Sequence, residues 1–330
     1  TDEINFNSKY VSNYLSAIIS ENNHNNDNAI KYFNSSKFLI NVHEEYLKKY
    51  ITNLVVNGEV QKSISVIKQN RNKESSKFFE ANLLLLIDNF KKKKFNKNIE
   101  LLNEFKKYSS NGNYEYIIYE VLKGYNDLFL SKKPILNNDK FGQLSLINQA
   151  FQYCYLNQPE ASSAFINIIK SNQGDYSRYL FFYFNNLIKN KDFESAQQIS
   201  KTVNILDSSL LIQQSKKWLD ESDYTKFSQI FSCYNEEDIL AEFFFLIANF
   251  LAADENFKKL NFYSNISNYL NPKFYFNLTH LISNYYENKN YEKTKKLLKN
   301  FNKEDKIYYW YKLKKTAQII DEEQGSKQSL

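Results

Sequence analysis

Hydrophobic residues recur along this chain at the three- and four-residue spacing of an amphipathic helix. One face of the helix that begins near residue 275 carries Leu278, Leu281, Ile282 and Tyr285. After a short polar turn, a second helix is expected to pack against this face through Tyr291, Thr294 and Leu298. The pattern predicts an all-α fold of antiparallel helix pairs with essentially no strand.

Similar turns interrupt the helical pattern at regular intervals. Each combines Asn, Gly, Lys, Asp or Glu residues and is usually followed by a bulky residue: Asn25-Asn26 (a weaker first copy), Asn57–Val60, Lys94-Phe95, Asn157–Pro159, Lys191–Phe193, Ser222–Tyr224, Glu255–Phe257 and Lys289–Tyr291. The last residues of successive turns lie 31 to 35 positions apart, except for one gap of 64 positions. That gap holds two units, one of them irregular.

A period near 34 residues with two helices per unit resembles the tetratricopeptide repeat family. In that family the eighth and twentieth residues of a unit are small where the two helices approach closely. Small residues occupy these places at Ala17, Ala150, Ser215 and Ala248, and at Ala29, Ser63, Ser162, Ala196 and Thr294. Larger residues depart from the rule at Ile51, Leu86, Phe184 and Ile282, and at Asn98, Phe227 and Leu260. Pro272 matches the proline near the end of the family's unit.

The resemblance covers the whole chain and implies a right-handed α-solenoid in which each hairpin packs only on its neighbours. The opening unit, with Tyr14–Ala17 and Asn28–Tyr32, is similar to the first repeat of long alphaproteobacterial tetratricopeptide proteins. Residues 1–330 are thus expected to form a single array of about nine to ten units.

The expected array has two irregular places. The copy between about 111 and 140 lacks the turn pattern and carries Lys132-Lys133-Pro134 inside its expected second helix. At the other end, Ile307–Glu323 reads as a first helix, Gly325 as its turn, and Ser326–Leu330 as a second helix cut short. The chain is therefore expected to be incomplete, with a truncated last unit.

The composition points to an AT-rich, bacterial genome, because Lys occurs 41 times and Asn 45 times against 2 Arg and 12 Ala. So few arginines argue against sequence-specific nucleic-acid binding, despite a net charge of +6. No apolar stretch is long enough to span a membrane. The chain begins at Thr1 and contains no Met. The sequence leaves the location open between the cytoplasm and, if a signal peptide preceded Thr1, the periplasm.

Candidate chemistry is sparse. The three histidines, His24, His43 and His280, have no second ligand at metal-binding spacing. Two cysteines are too few for a disulfide scaffold or a zinc site, and Cys154 is expected to be buried and inert. No nucleotide-binding or metalloprotease motif occurs. The run Lys91–Lys94 reads as a solvated turn, with an anionic partner as the alternative. The sequence predicts no enzyme activity, cofactor or metal.

The predicted function is a scaffold that binds a peptide or partner protein in its concave groove. The alternatives are the repeat part of an enzyme whose catalytic domain lies outside this chain, and a structural component of an envelope complex. In the tetratricopeptide family the groove is lined by the second, fifth, ninth and twelfth residues of each unit. The resemblance assigns partner binding to Arg178, Phe181, Asn185, Glu242, Phe245, Asn249, Phe276, Thr279, Ser283 and Tyr286. The competing interpretation is that the aromatic residues among them only finish the packing between units.

Overall fold

The computed structural model describes residues 8–110, 112–135, 140–171, 178–252 and 256–324. Within these ranges the chain forms 18 α-helices and four short 3-10 segments, and no strand. The prediction of an all-α fold is therefore confirmed, and the helices are repeat-like in their arrangement along the sequence. The predicted turn at Gly325 and the helix after it lie outside the described residues.

The helices follow one another as short pairs. Their bounds are α1 Ser8–Asn22, α2 Asn26–Ser35, α3 Glu44–Val56, α4 Val60–Gln69, α5 Phe79–Lys91, α6 Asn98–Phe105, α7 Tyr114–Ser131, α8 Gln143–Tyr155, α9 Glu160–Lys170, α10 Arg178–Lys189, α11 Phe193–Thr202, α12 Leu210–Asp220, α13 Thr225–Ile230, α14 Glu236–Ala252, α15 Phe257–Leu270, α16 Tyr275–Glu287, α17 Tyr291–Leu298 and α18 Lys306–Gln324.

The turns within pairs share one backbone motif. Two positions after the first helix ends, a residue has φ between 54 and 79°: His24, Gly58, Lys93, Asn157, Lys191, Ser222 and Lys289. The second α-helix begins two or three positions later, except after Lys93, where the 3-10 segment Phe95–Lys97 comes first. After α10, for example, the Lys191 amide donates to Ile188 O at 3.0 Å and the Asp192 amide to Leu187 O at 2.9 Å. These two bonds are those of the Schellman C-cap. The recurring cap explains why the predicted turns fall at the observed starts of the second helices.

Small residues lie where the helices of a pair approach each other. Eight of the nine positions expected from the repeat pattern are at most 1% exposed: Ala17, Ala29, Ser63, Ala150, Ala196, Ser215, Ala248 and Thr294. Ser162 is only partly buried. Most of these positions are thus buried, as a close approach of the two helices would require.

The region around 111–140 contains one long helix, α7, in place of a regular pair. Lys132 follows it with φ 53°, and Pro134 comes two residues later. Proline has no amide hydrogen and cannot continue a helix. Residues 132–135 are not helical.

The chain divides into two compact units. Unit 1 comprises Thr1–Glu120, Phe244–Tyr269 and Glu287–Asn290. Unit 2 comprises Val121–Phe243, Leu270–Tyr286 and Tyr291–Leu330.

Unit 1 is closed by helix α15, which packs against helices made much earlier in the chain. Asn265 Nδ2 donates to Val56 O at 3.0 Å, across 209 positions of sequence. Tyr269 Oη donates to Gln61 Oε1 at 2.6 Å. The expectation that each hairpin contacts only its neighbours is therefore wrong for α15. The physical reason is that every residue from 260 to 267 is buried, so this helix needs neighbours on all sides.

Unit 2 is built around a cluster of phenylalanine rings. Ring centroids lie 4.7 Å apart for Phe182 and Phe231, 5.0 Å for Phe151 and Phe182, and 5.8 Å for Phe231 and Phe274. A second cluster joins α16, α17 and α18 through Leu278, Leu281, Ile282, Tyr285, Leu298, Phe301, Tyr308 and Ile319. The apolar face predicted for the helix after residue 275 is thus buried in this second cluster.

Unit 2 also contains a disulfide between Cys154, in α8, and Cys233, which follows α13. Their Cα atoms lie 5.9 Å apart, a separation typical of disulfides, and both residues are buried. The expectation that Cys154 is buried is confirmed. Its pairing was not expected, because the two cysteines are 79 positions apart and no local pattern connects them.

Candidate functional site

Arg178 is the first residue of α10, and its guanidinium connects this helix to the parts of α14 and α16 that belong to unit 2. Nη2 donates to Glu242 Oε2 of α14 at 2.6 Å and to Asn277 Oδ1 of α16 at 3.0 Å. Only 8% of Arg178 and 1% of Glu242 are exposed. The structure therefore brings together two of the predicted partner-binding residues, but directs their charges at each other. Asn277 was missed, because the family register assigns the groove to its neighbour Phe276.

Aromatic rings enclose the Arg178–Glu242 pair. The guanidinium carbon lies 5.2 Å from the centroid of the Phe276 ring and 6.0 Å from that of Phe274. Burial raises the pKa of Glu242, and the charge of Arg178 opposes that rise. A cation among ring faces with a carboxylate beside it forms an internal charge cluster, in which Glu242 bonds Arg178 through Oε2.

His280 lies one turn after Phe276 on α16, with its ring 4.9 Å from the Phe276 ring in an edge-to-face arrangement. Desolvation and the positive charge of Arg178 lower the pKa of His280 to about 4, although part of the side chain remains in contact with solvent. The imidazole is therefore neutral at pH 7 and adds no charge to the cluster.

Phe181 and Asn185 of α10 face the interior of unit 2, so the expectation that they line an open groove needs correction. The Phe181 ring stacks on Phe227 with centroids 5.7 Å apart. Asn185 Nδ2 donates to Phe231 O at 2.8 Å, at the end of α13. Both residues are buried because they join α10 to the next helix pair.

The predicted residues of α16 turn toward α18. Tyr311 Oη donates to Thr279 O at 3.0 Å and lies 3.1 Å from Ser283 Oγ. The ammonium of Lys315 sits 4.2 Å from the centroid of the Tyr286 ring. Thr279 is buried, and Ser283 and Tyr286 are half-buried. For Tyr286, the contact with Lys315 matches the competing interpretation, in which the aromatic residues complete the packing between successive helix pairs.

In unit 1 the two predicted residues of α14 differ. Phe245 is buried, which corrects its expected place on an open surface, whereas Asn249 is exposed.

An open cleft of about 660 Å3 lies elsewhere in unit 2, between α12, α13 and the segments that precede α16 and α18. Its lining residues are Gln214, Lys217, Trp218, Glu221, Asp223, Lys226, Gln229, Ile230, Pro272, Lys273, Tyr275, Asn302, Glu304, Asp305 and Ile307. None of them belongs to the predicted set. Sequence reasoning missed the cleft because it is formed by turns and helix ends that lie up to about ninety positions apart.

The cleft combines an apolar wall with charges of both signs. Trp218 is held against Phe227, with ring centroids 5.2 Å apart. Gln214 Nε2 donates to Asp305 Oδ2 at 2.5 Å, and burial raises the pKa of Asp305. The lysine and acidic residues of the lining can pair with a partner of mixed charge.

Unit 1 has a smaller cavity of about 320 Å3 whose lining includes Lys48, Lys49, Lys258, Lys259, Glu45 and Glu80. Lys258 is already paired with Glu21, and burial lowers its pKa. Lys259 lies over the ring of Tyr114, 4.4 Å from its centroid. Two of the four ammonium groups are thus occupied within the unit.

In the part of the chain that the structure describes, no three His, Cys, Asp or Glu side chains converge as a metal site would require. None of the helices described has the length and apolar character to cross a membrane. Comparison with known proteins finds no family pattern that matches the chain, and no curated protein with significant sequence similarity.

Proposed function

We propose that this chain is a non-catalytic interaction scaffold, a bacterial array of tetratricopeptide-like helix pairs in a right-handed solenoid, that binds an extended peptide of a partner protein. Seven left-handed turn residues at the predicted period, together with the buried small residues, support the repeat assignment. Repeats of this kind present surfaces between successive helix pairs, where a partner can lie.

The open cleft of unit 2 is the site that we assign to the partner. It replaces the predicted groove, because Arg178, Phe181 and Asn185 are engaged within the unit. The observation that carries the assignment is the accessible volume of about 660 Å3 beside Trp218 and Tyr275. Amide side chains in the lining can bond a peptide backbone, and the aromatic wall can hold one anchoring side chain.

The disulfide favours the periplasm over the cytoplasm as the compartment of this protein. Structural disulfides persist in oxidising compartments and are rare in the cytoplasm. The buried Cys154–Cys233 pair therefore supports the periplasmic alternative, and with it a partner in the cell envelope.

The peptide-binding proposal can be tested by selecting phage-displayed peptides on the full chain and measuring the affinity of the best ones by calorimetry. Lys217→Glu/Lys273→Glu reverses two charges of the cleft. We expect it to weaken binding by about tenfold or more. Lys123→Glu/Lys201→Glu makes the same change at two exposed lysines outside the cleft and should leave affinity unchanged.

Selection of no peptide, or equal affinity of selected peptides for the cleft variant and the wild type, would overturn the assignment of the cleft. Circular dichroism of both variants checks that the helices are intact.

A further inference from the structure

The outer face of α18 carries a row of apolar residues in contact with water. Trp310 is 65% exposed and Leu313 is 46% exposed. Ala317 and Ile320 continue the row and are half-buried. Spacings of three, four and three residues place the four side chains on one side of the helix. An exposed tryptophan in such a row indicates an interaction surface, because tryptophan is enriched where protein partners meet.

The opposite side of α18 is firmly packed, so the row is a fixed surface of unit 2. Tyr308 and Ile319 are at most 1% exposed and belong to the cluster that joins α16, α17 and α18. Lys295 of α17 also pairs with Glu323 Oε2 of α18 at 2.8 Å. The orientation of the helix is therefore set along most of its length.

Charge is divided unevenly along the same helix. Its first half carries Lys306, Lys312, Lys314 and Lys315, and its last turn carries Asp321, Glu322 and Glu323. Lys306 lies one turn before Trp310, and Asp321 lies one turn after Ala317, so both flank the apolar row. Both are exposed. The exposed face therefore has a positive charge at one end, on Lys306, and a negative charge at the other, on Asp321. Such a face is complementary to itself when it is turned through 180°.

We propose that two copies of this chain associate through α18, with the two helices antiparallel and related by a two-fold axis. In this arrangement Lys306 of each helix faces Asp321 of the other, whereas a parallel pairing would place like charges opposite each other. One alignment of the two antiparallel helices places the large Trp310 side chain opposite a small one and opposite charges opposite each other. Trp310 lies opposite Ala317 of the second copy and Lys306 opposite Asp321, because both pairs are symmetric about the same point, between Leu313 and Lys314.

This inference goes beyond the proposed function and does not depend on it, because the peptide cleft is lined by other residues.

Sedimentation equilibrium of the full chain, from low micromolar to several hundred micromolar, tests the association directly. We expect a reversible monomer–dimer equilibrium that Trp310→Glu weakens by about tenfold or more. Leu206→Glu is the matched control, because Leu206 is 90% exposed in the same unit but lies on another segment. It should not change the dissociation constant. A wild-type chain that stays monomeric throughout, or a dimer that persists unchanged in Trp310→Glu, overturns the proposal.

A charge exchange tests the antiparallel arrangement. Lys306→Glu alone and Asp321→Lys alone should each weaken the dimer at low salt, because each opposes like charges across the axis. Lys306→Glu/Asp321→Lys restores opposite charges at both places and should recover the wild-type dissociation constant within about twofold. If the double variant is as weak as the two single changes combined, the antiparallel register is wrong. Circular dichroism and thermal unfolding verify that every variant keeps its fold.

Discussion

Arg178 and Glu242 form a buried ion pair, 2.6 Å between Nη2 and Oε2, although 64 positions of sequence separate them. Arg178 is one of only two arginines in the chain. The guanidinium bonds Glu242 and Asn277 through Nη2 while its planar face lies against the Phe276 ring. A lysine ammonium has no planar face with which to make the ring contact. The arginine is therefore explained by the internal cluster, without a bound partner.

Replacing Arg178 by Ala should destabilise unit 2 strongly. The change leaves the Glu242 carboxylate buried without its cation, which typically costs about 3–5 kcal/mol. Urea unfolding followed by circular dichroism measures the loss. Arg71→Ala removes the other arginine, which is exposed, and should change stability by less than about 0.5 kcal/mol. Equal effects of the two changes would contradict the assigned role of the pair. A partner-binding arginine in an open groove could be replaced without loss of stability, whereas the burial of Arg178 predicts the opposite.

Reduction of the Cys154–Cys233 bond should also destabilise the protein. The bond closes a loop of 79 positions, and the chain-entropy estimate for such a loop is about 4.5 kcal/mol. Urea unfolding with and without dithiothreitol measures the difference, and the Cys154→Ser/Cys233→Ser variant should not respond to the reductant. Detection of two free thiols per chain in the unreduced, denatured protein would show that the bond is absent.

Lys191→Gly should stabilise the protein. Lys191 has φ 61°, and an L-residue with a side chain is disfavoured in this left-handed region by about 1–2 kcal/mol. Glycine adopts it freely but loses more freedom on folding, so the net gain expected is about 0.5–1 kcal/mol. Lys123→Gly, within α7, is the matched control and should destabilise by about 0.5–1 kcal/mol. A loss of stability in both variants would contradict the Schellman turn at Lys191.

Ala196→Leu should overpack the contact between α10 and α11. Ala196 is fully buried at a position where the repeat pattern requires a small side chain. The added methylene groups should cost about 1–3 kcal/mol. Lys201→Leu, at an exposed position of the same helix, should change stability little. An unchanged midpoint of thermal unfolding in Ala196→Leu would show that α10 and α11 do not approach closely there.

Stability should fall steeply above pH 10, because several tyrosines are buried. Burial, with a smaller contribution from Glu59, raises the pKa of Tyr50 to about 12, and burial also raises the pKa of Tyr46 and Tyr125. The unfolded chain loses these protons near pH 10, so the stabilisation present below that pH is lost as the pH rises toward the folded pKa values. Each group contributes about 1.4 kcal/mol per pH unit in this window.

Urea unfolding at pH 8, 10 and 11, with tyrosinate absorbance as a second signal, measures this loss. Tyr50→Phe should reduce the slope of stability against pH between pH 10 and 11. A stability that is flat across that range would contradict the burial of these hydroxyl groups.

The local parts of this fold were predictable and the long-range parts were not. The turn at Lys191 could be anticipated because its residues are adjacent in sequence, and the small size of Ala196 already indicated a close contact. The pairings of Arg178 with Glu242 and of Cys154 with Cys233 depend on where distant helices meet. No periodic pattern encodes that meeting. For the same reason the family register identified α10 and α16 as helices of interest but assigned several interior residues to a surface.

The packing of α15 in unit 1 has a consequence for the order in which the protein folds. The ribosome makes Val121–Phe243 after the first 120 residues and before Phe244–Tyr269. At about 5–20 residues per second, these 123 residues delay the closing helix by about 6–25 s. During this time the bonds from Asn265 to Val56 O and from Tyr269 to the Gln61 side chain cannot form. Both acceptor groups are polar, so water can hydrate them until Asn265 and Tyr269 arrive and displace it. Unit 1 can thus be completed only after these 123 residues of unit 2 have been made.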